Sequence, residues 1–169
     1  MAVSREARSR RSTAVGLPPF QRFFEEHHAA VHRFLVATAG RDEADDCFQE
    51  TFIAALRAYP RLKPDSNLGA WVLTIAHRKA IDAHRARGRR AIPTQETIER
   101  AEPPPPDGRD PDLWRLVGEL PPKQRAAVVL RHVGDLPHAD IAAILDCTQD
   151  AARRNLHEGL EKLRKGWSP

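Results

Sequence analysis

Asp46, Gln49, Glu50 and Ile53 recur at helical spacing within the stretch DDCFQETFIAALRAYPRL, from Asp45 to Leu62, and Arg57 falls on the same side. Solvated helix faces are usually rich in Lys and Glu pairs. An acid, an amide, a second acid and a bare isoleucine therefore raise the question of what docks there. Opposite them, Phe48, Phe52, Ala55, Leu56 and Tyr59 form an apolar stripe expected to face a core. A second chemistry-bearing group is cationic: AWVLTIAHRKAIDAHRARGRR begins apolar at Ala70 and finishes strongly basic. A third is the pair Arg153 and Arg154 with Gln149 and His157 close by.

Covalent chemistry finds little support. His28 and His32 stand at i, i+4 with His27 beside them, a spacing that can chelate a metal, but no carboxylate or cysteine near them in sequence completes a convincing set. Ordinary surface or core histidines are the stronger reading. The chain has no glycine-type phosphate loop and no serine nucleophile motif. A protein that binds rather than catalyses, without a cofactor or metal, is expected.

The elements that must position these groups are helical. A chain of 169 residues, 41% hydrophobic, can form one domain or two small ones with real cores. Its formal charge of +4 comes from 27 basic and 23 acidic residues, so the sign matters only where it clusters. Cys47 and Cys147 lie far apart and in no metal-ligand spacing, which argues for a reducing, cytoplasmic setting. No run is apolar enough to span a bilayer, so no membrane insertion is expected.

Phe20, Phe23, Phe24, Val31, Phe34 and Leu35 set the rhythm of a first amphipathic helix ending near Gly40. A second opens among the acids Asp42 to Asp45 and cannot pass Pro60. PRLKPDSNLG then reads as a polar loop, followed by the helix from Ala70. Trp71 begins the apolar half of that helix, which favours a core role over a stacking platform. Residues 1–19 contain a paired arginine without an apolar h-region, so a disordered basic tail is expected.

Residues 91–111, with four consecutive prolines at Pro103 to Pro106, read as an interdomain linker. Some twenty extended residues would reach on the order of 70 Å, about two turns of DNA. Residues 112–169 are helical again: Pro121 and Pro122 restart a helix with Ala126, Val129, Leu130 and Val133 apolar, stopped at Gly134. A short helix with Ile141, Ala142 and Leu145 inward follows. After a turn at Asp146 to Thr148 comes a longer helix with Ala152, Leu156, Leu160 and Leu163 inward. That is the pattern of a helix-turn-helix, with Thr148 as a cap and Gln149, Arg153, Arg154 and His157 outward, although a plain helical hairpin with solvated arginines shares it.

With these pieces in order, the sequence from Phe20 to Trp167 resembles the bacterial sigma factors of the extracytoplasmic-function group, in the sigma-70 family. ADDCFQETF looks like the family's polymerase-docking motif, AWVLTIAHRKAIDAHRARGRR like its promoter-melting helix, and LPPKQRAAVVLRHVGDLPHADIAAILDCT like the opening of region 4. The resemblance implies an all-α fold of two small helical domains, region 2 over residues 20–90 and region 4 over 112–169, joined by the Pro-rich linker. It assigns Asp46, Gln49 and Glu50 to the clamp coiled coil of RNA polymerase core, with Ile53 an apolar contact in their midst.

By the same resemblance, Lys63, Asp65, Ser66 and Asn67 would receive an unstacked base of the minus-ten element. Arg78, Lys79, Arg85, Arg87, Arg89 and Arg90, against the lone Asp82, would form the basic groove for its strand. Thr148, Gln149, Arg153, Arg154 and His157 would lie at the minus-thirty-five element. The implied partners are polymerase core, promoter DNA and an anti-sigma factor. Three departures from the family pattern stand out: Asn155 and Glu158 replace basic or small residues, Ala151-Ala152 replaces a common Thr-Val, and His77-Arg78 stands where Arg-Asn is frequent. Glu158 is expected to repel phosphate. Two rival readings stay open, an operator-binding helix-turn-helix regulator independent of polymerase core, and an enzyme or metal-responsive switch built on the histidines.

Overall fold

At Gly40 the backbone takes φ +87°, a conformation that side-chain-bearing residues rarely adopt, and the chain reverses there between its first two helices. A computed structural model describes residues 16–90 and 110–167. In order these form α1 (Phe20–Ala39), α2 (Arg41–Ala58), a single 3-10 turn (Tyr59–Arg61), α3 (Leu68–Arg90), α4 (Pro111–Glu119), α5 (Pro122–His132), α6 (His138–Ile144) and α7 (Gln149–Gly166). The fold is all-α, and among the described residues there is no strand.

An aromatic cluster fastens α1, α2 and α3 together. Phe23 is fully buried, with ring centroids of Tyr59 at 5.1 Å, Phe20 at 5.3 Å, Trp71 at 5.7 Å and Phe52 at 6.2 Å. Phe24 and Phe48 extend the cluster, each with its centroid 4.8 Å from that of Phe52. Trp71 thus serves the core, as its place in the apolar half of its helix requires. Leu56 does not join the stripe expected of it. It is 55% exposed, because Phe52, Ala55 and Tyr59 already fill the line toward α1 and helical geometry turns Leu56 to the side of Gln49 and Ile53.

Helix boundaries shift for identifiable reasons. Asn67 Oδ1 accepts the Ala70 N–H at 3.1 Å, so α3 starts at Leu68 rather than Ala70. Asp110 Oδ1 accepts the Asp112 N–H at 2.9 Å, and with Pro111 at the first helical position α4 begins one residue before the expected border. Pro18 accepts a hydrogen bond from the Tyr59 hydroxyl, Pro19 accepts one from the Phe23 N–H, and Leu17 packs on the core. Residues 17–19 therefore belong to the folded body, against the expectation of a disordered tail through residue 19. The rest of that tail, residues 1–15, and the linker over 91–109 lie outside the described residues.

In the C-terminal half, α5 and α7 cross at Gly159, where a Cβ would meet Val128 Cγ2 at 2.7 Å and Gln124 O at 3.4 Å. An exposed helical Gly→Ala change gains about 1 kcal/mol of helix propensity. Here the stiff, β-branched Val128 stands in the way, and overpacking of this kind costs about 1–3 kcal/mol. Gly159→Ala is therefore expected to lower the thermal midpoint; a raised midpoint would mean that the two helices part freely.

The two halves are not held apart. α1 packs on α4 and α5, and α3 packs on α6. Leu73, only 2% exposed, lies where a Cβ on Gly134 would come within 2.9 Å of its Cδ1. A reach of two DNA turns between separated halves is thus not the arrangement seen, because apolar side chains on α1 and α3 find burial against region 112–169.

Candidate functional site

The buried side of α2 consists of Ala44, Cys47, Thr51, Phe52 and Ala55. Thr51 Oγ1 returns a 2.6 Å hydrogen bond to the Cys47 carbonyl, which satisfies the one hydroxyl on that side. Everything the core does not claim faces outward: Asp46, Gln49, Glu50, Ile53, Leu56 and Arg57 are all exposed, Ile53 at 50%. The four residues singled out in the sequence thus share one surface. Leu56, which sequence reasoning sent to the core, joins it, and its spacing of i, i+3 from Ile53 was the signal that could have placed it there. Two large apolar side chains inside a polar rim make a surface suited to a protein partner.

Cys47 faces the Lys79 carbonyl at 3.7 Å. Burial, followed by the carboxylates of Glu50, Glu43 and Asp46, raises its thiol pKa. A thiol held protonated in this way is a packing group rather than a nucleophile.

The loop after α2 exposes Lys63 and Asp65, half-buries Ser66, and closes a turn through Ser66 N–H to Lys63 O at 3.1 Å. Asn67 is engaged twice: its Oδ1 caps α3, and its Nδ2 donates to Asp140 Oδ2 of α6 at 3.2 Å. Along α3, Arg78, Arg85 and Arg89 fall on one exposed face at helical spacing, with Arg90 exposed at the helix end. The rest of the expected groove is divided. Lys79 Nζ lies 3.5 Å from Glu50 Oε2, and an Arg87 guanidinium nitrogen 3.5 Å from Glu43 Oε1, so these two cations lean toward the acids of α2. Exposed pairs of this kind hold weakly, and they orient the side chains more than they stabilise the fold. Burial, then the charge of Arg78, lowers the His77 pKa, so its imidazole adds no positive charge to the stripe at neutral pH.

The helix-turn-helix is closed by local chemistry. Cys147 N–H reaches back to Ala142 O at 3.0 Å while Asp146 sits at φ +50°, a conformation that Asp tolerates better than most residues. Thr148 Oγ1 then accepts the Ala151 N–H at 3.1 Å and caps α7. Gln149, Arg153, Arg154 and His157 stand exposed along that helix, with Arg153 3.7 Å from Asp150. Glu158 is exposed on the same helix. Its carboxylate accepts a 2.7 Å hydrogen bond from Gln124 Nε2 of α5.

The histidines have local partners. His28 Nδ1 lies 3.1 Å from the carbonyls of both Phe24 and Glu25, and His32 Nε2 lies 3.3 Å from Asp45 Oδ1. Among the described residues no group of three or more His, Cys, Asp or Glu side chains is placed to hold a metal ion. Among the described helices none is long and apolar enough to cross a membrane.

Residues 23–90 match the family model of Sigma-70 region 2, and residues 111–163 that of Sigma-70, region 4. The chain is 33% identical over 160 residues to the RNA polymerase sigma factor CarQ of Myxococcus xanthus, covering 86% of this chain and 87% of that protein. It is 32% identical over 158 residues to the ECF RNA polymerase sigma factor SigE of Mycolicibacterium smegmatis, covering 88% of this chain and 61% of that one. Its fold is similar to that of the sigma factor RpoE from Bartonella quintana, solved in complex with the anti-sigma factor NepR, at a TM-score of 0.72 and 22% identity over 87% of this chain and 95% of that chain. The chain belongs to the sigma-70 family of RNA polymerase sigma factors, in its extracytoplasmic-function group, a family whose members are not catalysts themselves but direct RNA polymerase.

Proposed function

We propose that this sigma factor binds RNA polymerase core through the exposed face of α2, with Ile53 and Leu56 as the apolar centre and Asp46, Gln49 and Glu50 as the orienting rim. The observation that carries this reading is the pairing of two half-exposed aliphatic side chains with three uncommitted or weakly paired polar ones on a single helix face. Residues 20–90 then act as the core-binding and minus-ten domain, residues 91–111 as the linker, and residues 112–169 as the minus-thirty-five domain. Lys63, Asp65, Ser66 and Asn67 hold an unstacked base, and Arg78, Arg85, Arg89 and Arg90 hold its strand, with Lys79 added when it leaves Glu50. On α7, Gln149, Arg153, Arg154 and His157 enter the major groove, positioned by the Thr148 cap.

Melting needs no chemical step. A surface that holds unpaired bases more tightly than paired ones shifts the duplex toward the open state by the difference in binding energy. An anti-sigma factor that covers the α2 face would block the whole sequence at its first step, and the similarly folded RpoE is solved in complex with an anti-sigma factor.

Run-off transcription with purified core polymerase tests the reading, comparing wild type with the Asp46→Ala/Gln49→Ala variant. Because both side chains are exposed, the variant is expected to keep its helical circular dichroism while core affinity falls about tenfold, and run-off product with it. Unaltered core binding by the folded variant would remove the assignment.

A further inference from the structure

Arg154 and Glu158 stand at i, i+4 on α7 and both are exposed, so their side chains are neighbours of opposite charge on the helix surface. The usual outcome at such spacing is an ion pair within the helix. The other two acids of α7 follow it: Asp150 lies 3.7 Å from Arg153, and Glu161 lies 2.6 Å from Arg164. Glu158 does not. Its Oε2 is held at 2.7 Å by Gln124 Nε2 of α5, and among the described residues Arg154 has no acid paired with it.

Gln124 is an unusual residue for its place. It is 8% exposed in a helix whose other buried residues, Ala126 to Leu130, are all apolar, and its Oε1 is buried with no hydrogen-bond partner among the described residues. An apolar side chain of similar volume would pack this crossing without an unsatisfied oxygen. The close approach of the two helices fixes where the amide can reach: a Cβ on Gly159, next to Glu158, would come within 3.5 Å of Gln124 Cβ.

We infer that Gln124 is a positioning residue for DNA recognition: by binding the Glu158 carboxylate it keeps Glu158 off Arg154, and so leaves the Arg154 guanidinium available to guanine edges or phosphate. The inference rests on the assignment of Arg154 to promoter DNA under the proposed function. A guanidinium paired along its own helix must leave that carboxylate before it pairs with DNA, and DNA affinity falls by what the pair was worth. A released carboxylate also stays close to phosphates that it repels. A buried amide suits the task, because it is neutral and adds no charge of its own, and its burial limits competition from water.

The test is a double-mutant cycle on holoenzyme, the full chain with polymerase core, using labelled duplexes that the wild-type holoenzyme selects from a random-sequence pool. Gln124→Met keeps the unbranched shape of glutamine but has no N–H to give. It is compared alone and in a Glu158→Gln background, with Gln124→Leu as a second form should the first unfold. Thermal circular dichroism identifies folded variants, and core affinity is measured separately for each. Gln124→Met is expected to weaken duplex binding about two- to fivefold, the range set by an exposed ion pair that must be broken. In the Glu158→Gln background the same change is expected to leave binding within about 1.5-fold. A role confined to packing α5 on α7 gives an equal loss in both backgrounds, and that result overturns the inference. Undiminished binding by folded Gln124→Met overturns it too, as does unfolding of both Gln124 variants, which assigns the residue to packing. Arg154→Ala is expected to lower affinity about tenfold and to abolish the effect of Gln124→Met. Unchanged binding by Arg154→Ala, or selection of no duplex by the wild type, overturns instead the assignment of α7 to promoter DNA, and the inference with it.

Discussion

Phe23→Ala is expected to lower the unfolding free energy by about 3–5 kcal/mol, the usual cost of emptying a buried phenylalanine site. Against a total stability on the order of 5–15 kcal/mol for a domain of this kind, that is a large fraction. The reason is geometric. Phe23 is fully buried and, among the described residues, is the one ring in contact range of rings from α1, the turn after α2, α2 itself and α3, so its removal loosens three helices together. Each aromatic pair adds about 0.5–1.5 kcal/mol beyond area burial, which places the loss toward the upper end of the range. Urea denaturation followed by circular dichroism checks it: the midpoint should fall with the slope nearly unchanged. A loss below about 1 kcal/mol would mean that the cavity collapses freely and that the cluster does not fix the angle between α2 and α3.

Much of this organisation can be read without coordinates, and the reasons differ by element. The first two helices, the helix-turn-helix and the Thr148 cap follow from local rules, namely apolar spacing, proline stops and side-chain caps, that act over a few residues. Leu56 escaped because a helix stripe has edges. Its position borders both the stripe toward α1 and the outward face, and only the filling of the core by Phe52, Ala55 and Tyr59 decides between them. The partner of Glu158 escaped for a different reason: Gln124 lies 34 residues away, and charge alone cannot reveal a hydrogen bond across a helix crossing.

The basic groove was legible as composition but not as geometry. Six cations in one helix suggest a single surface, yet Lys79 and Arg87 are drawn to Glu50 and Glu43 on α2, while Arg78, Arg85 and Arg89 keep a common face. The packing of the two halves on each other had no sequence signal at all. A proline-rich connection limits distance from above, and says nothing about whether the connected parts find burial against each other.

Ile53→Asp is expected to weaken binding of polymerase core by about thirtyfold or more, the effect of losing an interface hot spot worth roughly 2 kcal/mol. In the free chain the change should be nearly neutral, within about 0.5 kcal/mol, because a side chain that is 50% exposed contributes little to the core. The contrast between those two magnitudes is the diagnostic feature. An isoleucine on a solvated face gains almost nothing where it is. In a complex it buries apolar area together with Leu56, and a carboxylate at the same place must be desolvated without a partner, close to the charges of Asp46 and Glu50. Leu56→Asp should act in the same direction, while Ile53→Leu, which keeps the apolar volume, should leave affinity within about threefold. Titration of labelled core polymerase with each variant separates these outcomes. Tight binding by Ile53→Asp would mean that the polar rim alone sustains docking, which exposed charges in water at physiological salt are too weakly coupled to do.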